Sequence, residues 1–430
     1  MSSTPQQILD EAPMSRVQVI AVTMCVLLNA LDGFDVLSIS FASPGIAVEW
    51  GIDRAQLGIV LSMELVGMAF GSVVLGRVAD QYGRRPTILG CLFIMAAGML
   101  AAGMSSGVTE LSVYRLFTGF GIGGMLAATN AATAEFSNAK RRSLAVIIMA
   151  AGYPFGAIVG GAIASELLIS FDWRAVFLLG AFATAAFFPL VWFLLPESVF
   201  YLAQNQPENA LLRINQSLTR MGHRAVSSLP QIVTGLKVST RELFVGGLRR
   251  KTTLLTVAYF AHIMTFYFIL KWIPKLVVDM GFHPSEAGGV LVWANVGGLM
   301  GSLILGLLSQ KFKVHTLILL VLLGSVLMVS YFGQGQSDLA ELSLVAAGAG
   351  FFTNGTIVGL YYLFTHVFPT ELRAGGTGFV IGVGRGGATL GPVLAGFMFS
   401  NGFGLDVVAF TMAAGSLIAF IALIMLRAND

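Results

Sequence analysis

The chain has 430 residues, of which 56% are hydrophobic and only 11% charged, with a mean hydropathy of +0.82. A soluble domain carries about 25% charged residues, so this composition excludes a water-soluble globular protein and requires surface that faces lipid. A net charge of +3 speaks against nucleic acid as a partner, and two cysteines, Cys25 and Cys91, both in apolar runs, exclude a disulfide framework.

The segment Met1 to Arg16 is polar and lacks the charged, apolar, small-residue order of a cleaved signal, so the first apolar run is expected to persist as a helix. A helix needs about 20 apolar residues to cross a hydrocarbon core of roughly 30 Å. Such runs are predicted at about 17–40, 55–77, 86–106, 109–134, 143–168, 174–195, 253–276, 286–309, 314–333, 340–366, 375–400 and 405–427. The fold class is therefore all-α integral membrane, because helices satisfy their own backbone hydrogen bonds where lipid cannot. The polar stretch from Pro196 to Thr252, which includes Lys237, divides the spans six and six. Residues 1–195 and 253–430 are read as two pseudo-symmetric six-helix bundles, and 196–252 as a cytoplasmic linker with short surface helices. Nineteen of the 25 Lys and Arg residues fall on the side of the termini, only Arg54, Arg174 and Lys275 on the other, and Arg115, Lys271 and Arg385 inside spans. Lys and Arg favour the cytoplasmic loops, which places both termini inside the cell inner (plasma) membrane.

The halves echo each other. Thr133-Ala134-Glu135-Phe136 at the end of the fourth span aligns with Thr365-His366-Val367-Phe368 at the end of the tenth, and at the same offset Arg141 meets Arg373 and Gly152 meets Gly384. Repeats arranged around a midplane site are a transporter plan. Between the second and third spans stands Gly76-Arg77-Val78-Ala79-Asp80-Gln81-Tyr82-Gly83-Arg84-Arg85-Pro86. Gly83 suits a positive φ in this tight reversal, and Pro86 suits the first turn of a helix. Asp80 can pair with the neighbouring arginines or a helix N-terminus, which makes the loop a latch that breaks when the halves rock.

Ionisable groups at membrane depth cost about 2.5–3.5 kcal/mol each by insertion scales, so they are expected to line a cavity and to function. At about 1.5 Å per residue, Arg385 and Glu64 fall near the midplane, and Asp32, Asp35 and Arg115 in the outer half. Asp32 and Asp35 share a helix face with Asn29. They either carry a coupling proton, or one of them is neutralised by Arg115 as a structural ion pair. Arg385 can hold a carboxylate through two parallel hydrogen bonds, or pair with Glu64, itself a second candidate proton site. Lys271 reads as snorkelling and His262 as a packing residue. Tyr267, Trp272, Trp293, Tyr361 and Tyr362 are candidates to clamp a flat ring. Gly119, Gly121, Gly123 and Gly124, and Gly152, Gly156, Gly160 and Gly161, allow close helix approach.

The run from Gly76 to Arg85 resembles the G-x-x-x-D-x-x-G-R-R signature of the major facilitator superfamily. Leu111 to Gly119, centred on Arg115, resembles that family's fourth-helix pattern. The counterpart loop, Gly306 to Lys313, has lost the acid. Within the superfamily, Asp32-Gly33-Phe34-Asp35 resembles the D-G-F-D motif of the aromatic acid:proton symporters, and Gly382-Val383-Gly384-Arg385-Gly386-Gly387 their eleventh-helix arginine motif. Pro196-Glu197-Ser198 is shared with many sugar and metabolite carriers. The resemblance implies a functional monomer that imports benzoate, hydroxybenzoate or protocatechuate-like acids, with the proton as coupling ion and no cofactor. Taken with the reading of the residues, it gives substrate binding by Arg385, Asp35, Tyr267, Trp293 and Tyr361, proton coupling by Asp32, Asp35 and Glu64, of which Glu64 lies outside the family's pattern, and gating by Gly76, Asp80, Gly83, Arg84, Arg115 and Glu135. Rival readings are a carrier of another carboxylate or small metabolite, proton-driven drug efflux, and a non-transporting sensor. Efflux carriers of the superfamily have a Gly-Pro pair in the fifth helix, where this chain has Gly156-Ala157. With no metal-ligand cluster, nucleophile elbow or phosphate loop, an enzyme is not expected.

Overall fold

The computed structural model describes residues 4–230, 240–369 and 372–427; Lys237 lies outside them. Twelve long apolar helices account for most of the chain: α1 Arg16–Trp50, α2 Arg54–Tyr82, α3 Arg84–Gly103, α4 Val108–Phe136, α5 Arg142–Ser170, α6 Arg174–Leu194, α7 Gly246–Asp279, α8 Pro284–Leu308, α9 Val314–Phe332, α10 Leu339–Val367, α11 Arg373–Ser400 and α12 Leu405–Arg427. An even number of crossings puts both termini on one face, here termed the terminal face. The expected surface helices of the linker are Val199–Asn205 and Ala210–Arg220, and α7 starts at Gly246, ahead of the expected boundary, with Thr252 hydrogen-bonded back to Leu243.

Local chemistry sets the helix ends. Ser15 with Gln18, Asp53 with Gln56 and His283 with Glu286 form reciprocal caps that satisfy the first free N–H groups of α1, α2 and α8. Gly51 ends α1 in the left-handed region at φ 58°. Gly83 alone joins α2 to α3 at φ 113°, and a Cβ there would stand 2.3 Å from Glu197 Oε2.

Glycines fix the packing within each half. A Cβ on Gly119 of α4 would lie 2.0 Å from the Glu64 carbonyl of α2, and one on Gly297 of α8 would lie 1.8 Å from the Ala347 carbonyl of α10. These backbone-close seams are equivalent in the two halves and give the repeat a structural meaning. Helices α3, α6, α9 and α12 present Phe93, Phe182, Leu327 and Phe410 outward, each more than half exposed, as a surface against lipid requires.

The halves meet on the face opposite the termini. There the start of α2 packs on the end of α11: a Cβ on Gly58 would touch the Pro392 carbonyl at 2.6 Å, the Ala55 amide donates to Ser400 Oγ at 2.7 Å, and Arg54 pairs with Asp279 of α7 at 2.9 Å. Helices α5 and α8 close against each other through Gly161 and Val292 and through Ser165 and Gly288. Toward the terminal face α2 and α11 part around a cavity of about 690 Å³. The molecule is closed on one side and open on the side of the termini.

Candidate functional site

The cavity is lined by Ser72 and Val73 from α2 and by Arg373, Thr377, Ile381 and Arg385 from α11. Arg385 stands at its inner end, where one guanidinium nitrogen donates to the Met68 carbonyl at 2.6 Å. Among the described residues it has no carboxylate within ion-pair distance. The pairing with Glu64 considered from sequence is not made. The glycines beside Arg385 have a packing role: a Cβ on Gly384 would enter the Tyr259 ring at 2.1 Å, and one on Gly387 would meet the Phe260 carbonyl at 2.3 Å. They let α7 lie against α11 and bring its aromatic residues beside the guanidinium.

Two of the aromatics there are phenols, one from α7 and one from α10. Tyr259 and Tyr361 place their hydroxyls 3.2 Å apart, with Tyr361 40% exposed. Tyr267 is partly buried about two turns further along α7, and the buried Tyr153 hydroxyl of α5 lies beside its hydroxyl. Trp293 corrects the expected ring clamp. It is 53% exposed on an apolar stripe with Met300, Leu303 and Leu307, on the opposite side of α8 from Asn295 and Ser302, and so faces lipid. His262 is satisfied on both ring nitrogens, by Ser416 Oγ and the Thr353 carbonyl, each at 2.9 Å, which is the packing arrangement.

The remaining membrane charges lie apart from the open cavity, in a buried cluster toward the closed side. Arg115 pairs with Glu64 at 2.5 Å, contacts the Met99 sulfur at 2.9 Å, donates to the Asp35 backbone carbonyl at 2.9 Å and lies 5.4 Å from the Phe177 ring centre. Lys271 reaches the other oxygen of Glu64 at 3.3 Å and also donates to the Val36 carbonyl. Neither cation nor Glu64 has any exposed side-chain surface. Lys271 therefore does not snorkel: its stem turns inward, to a carboxylate of the other half. Arg115, expected among the gating residues, belongs to this buried cluster.

Asp32 and Asp35 are also fully buried, within the first half. Asp35 accepts a hydrogen bond from Thr184 of α6 at 3.3 Å, while both oxygens of Asp32 have no partner among the described residues. The expected common face with Asn29 fans out over separate neighbours, since Asn29 donates to the Met149 carbonyl of α5. The reason is the seam between α1 and α5, where Gly33 abuts the Tyr153 carbonyl and Gly156 abuts the Ala30 carbonyl. That contact turns the carboxyls toward α3, α4 and α6. Asp35 as a substrate contact does not fit this orientation.

The latch loop forms a network of its own at the terminal face. Arg84 pairs with Asp80 and with Glu135, each at 2.7 Å, and Gly76 sits against Ala127. Glu197 accepts from the Arg84 amide at 2.9 Å, and its burial raises its carboxyl above the ordinary range while backbone amides pull it back. All these residues belong to the first half except Glu197, at the start of the linker. Among the described residues the second half is not joined to them, as an open terminal face demands.

The family model described as Major Facilitator Superfamily matches residues 25–338 and 255–430. The chain belongs to the Major Facilitator Superfamily. It is a multi-pass membrane transporter and not an enzyme. It is 30% identical to a gallate transporter of Pseudomonas putida over 98% of this chain and 94% of that protein. It is also 30% identical to the 4-hydroxybenzoate transporter PcaK of Acinetobacter baylyi, over 96% and 91%. Among solved structures it is similar in fold to the xylose transporter XylE from E. coli in a partially occluded inward-open conformation. The TM-score is 0.73 at 16% identity, covering 97% of this chain and 98% of that one.

Sequence reasoning found Arg385, Arg115 and Glu64 individually but missed three members of the site: Lys271 as an ion-pair partner, Tyr153, and the Met68 carbonyl. Tyr153 had one local signal, Pro154 after it inside a glycine-rich helix, which marks an irregular segment. A backbone carbonyl has none.

Proposed function

We propose that this transporter carries an aromatic carboxylate into the cell together with a proton, as a monomer in the inner membrane with both termini in the cytoplasm. The observation that carries the reading is Arg385: a guanidinium at the end of an open cavity, with no carboxylate of its own among the described residues and phenols beside it. A guanidinium fork binds a carboxylate bidentately, and aromatic side chains suit a ring behind it. The gallate and 4-hydroxybenzoate transporters support this substrate class. The Lys and Arg bias toward the terminal face supports the orientation, so that the open cavity faces the cytoplasm.

The coupling proton is assigned to Asp32 and Asp35. Buried carboxyls without a cation in contact are costly when ionised, and a proton removes that cost. The test is uptake of labelled 4-hydroxybenzoate into proteoliposomes. Accumulation is expected with an inward proton gradient and equilibration alone without one. Accumulation that ignores the gradient would remove the coupling, and the absence of uptake from a panel of aromatic acids would remove the substrate class.

A further inference from the structure

Lys271 lies on α7 in the second half, yet both groups it contacts, Glu64 Oε2 and the Val36 carbonyl, belong to the first. Its own half supplies it no acceptor among the described residues. Asp279, the one acidic residue on α7, is engaged by Arg54 and Lys275. Glu64 is placed differently. Its second oxygen is held at 2.5 Å by Arg115 of the same half, so it keeps a counter-ion whatever the other half does.

Alternating access requires the closed face to open, which parts α2 from α11 and α5 from α8. That motion draws Lys271 away from Glu64 and Val36 and leaves an ammonium without a partner on the wall of the newly opened chamber. A bare ammonium there calls for an anion. We infer that Lys271 is a second binding group for the transported carboxylate, covered by Glu64 when this face is closed and offered to the substrate when it opens. Arg385 serves the terminal side and Lys271 the closed side, and the carboxylate passes from one to the other. Glu64 acts as an internal stand-in for the substrate, closing the face once the substrate has moved on. This inference rests on the proposal that the substrate is a carboxylate taken in from the closed side.

The Ala55 amide and Ser400 Oγ, 2.7 Å apart across the closed face, mark a place for a reporter. A variant with Ala55→Cys and Ser400→Cys, both native cysteines being buried, forms a cross-link at a rate that follows closure of that face. In this background 4-hydroxybenzoate is expected to slow cross-linking, because it competes with Glu64 for Lys271. Lys271→Arg is expected to retain the effect. Lys271→Met is expected to cross-link more slowly even without ligand and to need about tenfold more 4-hydroxybenzoate for any response, the scale of one lost charge-assisted contact. Glu64→Gln, which frees Lys271 while leaving the ammonium in place, is expected to slow cross-linking but to bind 4-hydroxybenzoate at least as well as the parent. A folded Lys271→Met protein that responds to 4-hydroxybenzoate at the parent's concentration would overturn the site. Absence of binding to the parent would overturn the substrate class and this site with it, so the two failures are told apart by the parent protein alone.

Discussion

Replacing Arg385 by lysine keeps the charge but removes the fork. Arg385 uses one nitrogen on the Met68 carbonyl, which leaves its other N–H groups for a ligand. A lysine ammonium has three diverging N–H bonds and no planar fork, so with one of them on Met68 it cannot give a carboxylate two parallel hydrogen bonds and one well-aligned bond is lost. Hydrogen bonds to charged groups contribute about 1.5–3 kcal/mol each, so losing one should weaken binding by roughly 10- to 150-fold at about 1.4 kcal/mol per factor of ten. Arg385→Ala removes the charge as well and should take binding below detection. The assay is equilibrium binding of labelled 4-hydroxybenzoate to purified protein, with thermal unfolding to show that the variants are folded. The neutral amide of the same acid serves as a control whose weaker affinity should be nearly indifferent to Arg385→Lys. Binding of the acid within twofold of the parent in both folded variants would refute the assignment of Arg385 as anchor and the reasoning from its missing counter-ion.

Gly119→Val should destabilise the protein by about 1–3 kcal/mol or more, since the new Cβ meets the Glu64 carbonyl at 2.0 Å and neither backbone can retreat; a lower melting temperature in detergent would show it. Glu197→Ala should cost about 1 kcal/mol in the same assay by uncapping the amides of Arg84 and Arg85 at the start of α3. Arg84→Ala strips Glu135 and Asp80 of their partner at once, and a loss of about 1.5–3 kcal/mol is expected, with Arg84→Lys intermediate. His223 tethers the linker to Gln18 at 2.9 Å, and burial holds its pKa below the ordinary value. The native state thus favours neutral His223, whose contribution is present above the unfolded histidine pKa and is lost as pH falls through the folded one. His223→Gln should flatten that part of the fall in melting temperature between about pH 7 and pH 5.

Much of the fold could be read from the chain because hydrocarbon admits few solutions. An apolar run of sufficient length must be a helix, and the distribution of Lys and Arg orders the loops. The loop from Gly76 to Arg85 was legible for the same local reason: a one-residue reversal needs Gly83, and the charges around it are within reach of each other along the chain. The site was legible only as a set of residue types. Arg385 could be named because a lone arginine in the middle of an apolar helix has few uses.

The partners of these charges lay beyond any local pattern. Lys271 and Glu64 are 207 positions apart, and only the closure of one half on the other brings them to 3.3 Å. Asp32 and Asp35 show the converse: their spacing promises one shared face, but the seam of Gly33 and Gly156 rotates α1 so that they enter the core of the first bundle. Composition and periodicity determine what a segment must be, since each residue's cost in lipid or water is its own. Which charge neutralises which, and which face of the molecule stands open, depends on the rotation of whole helices and the separation of two bundles. Those are properties of the assembled packing, where one backbone contact at a glycine redirects every side chain along the helix.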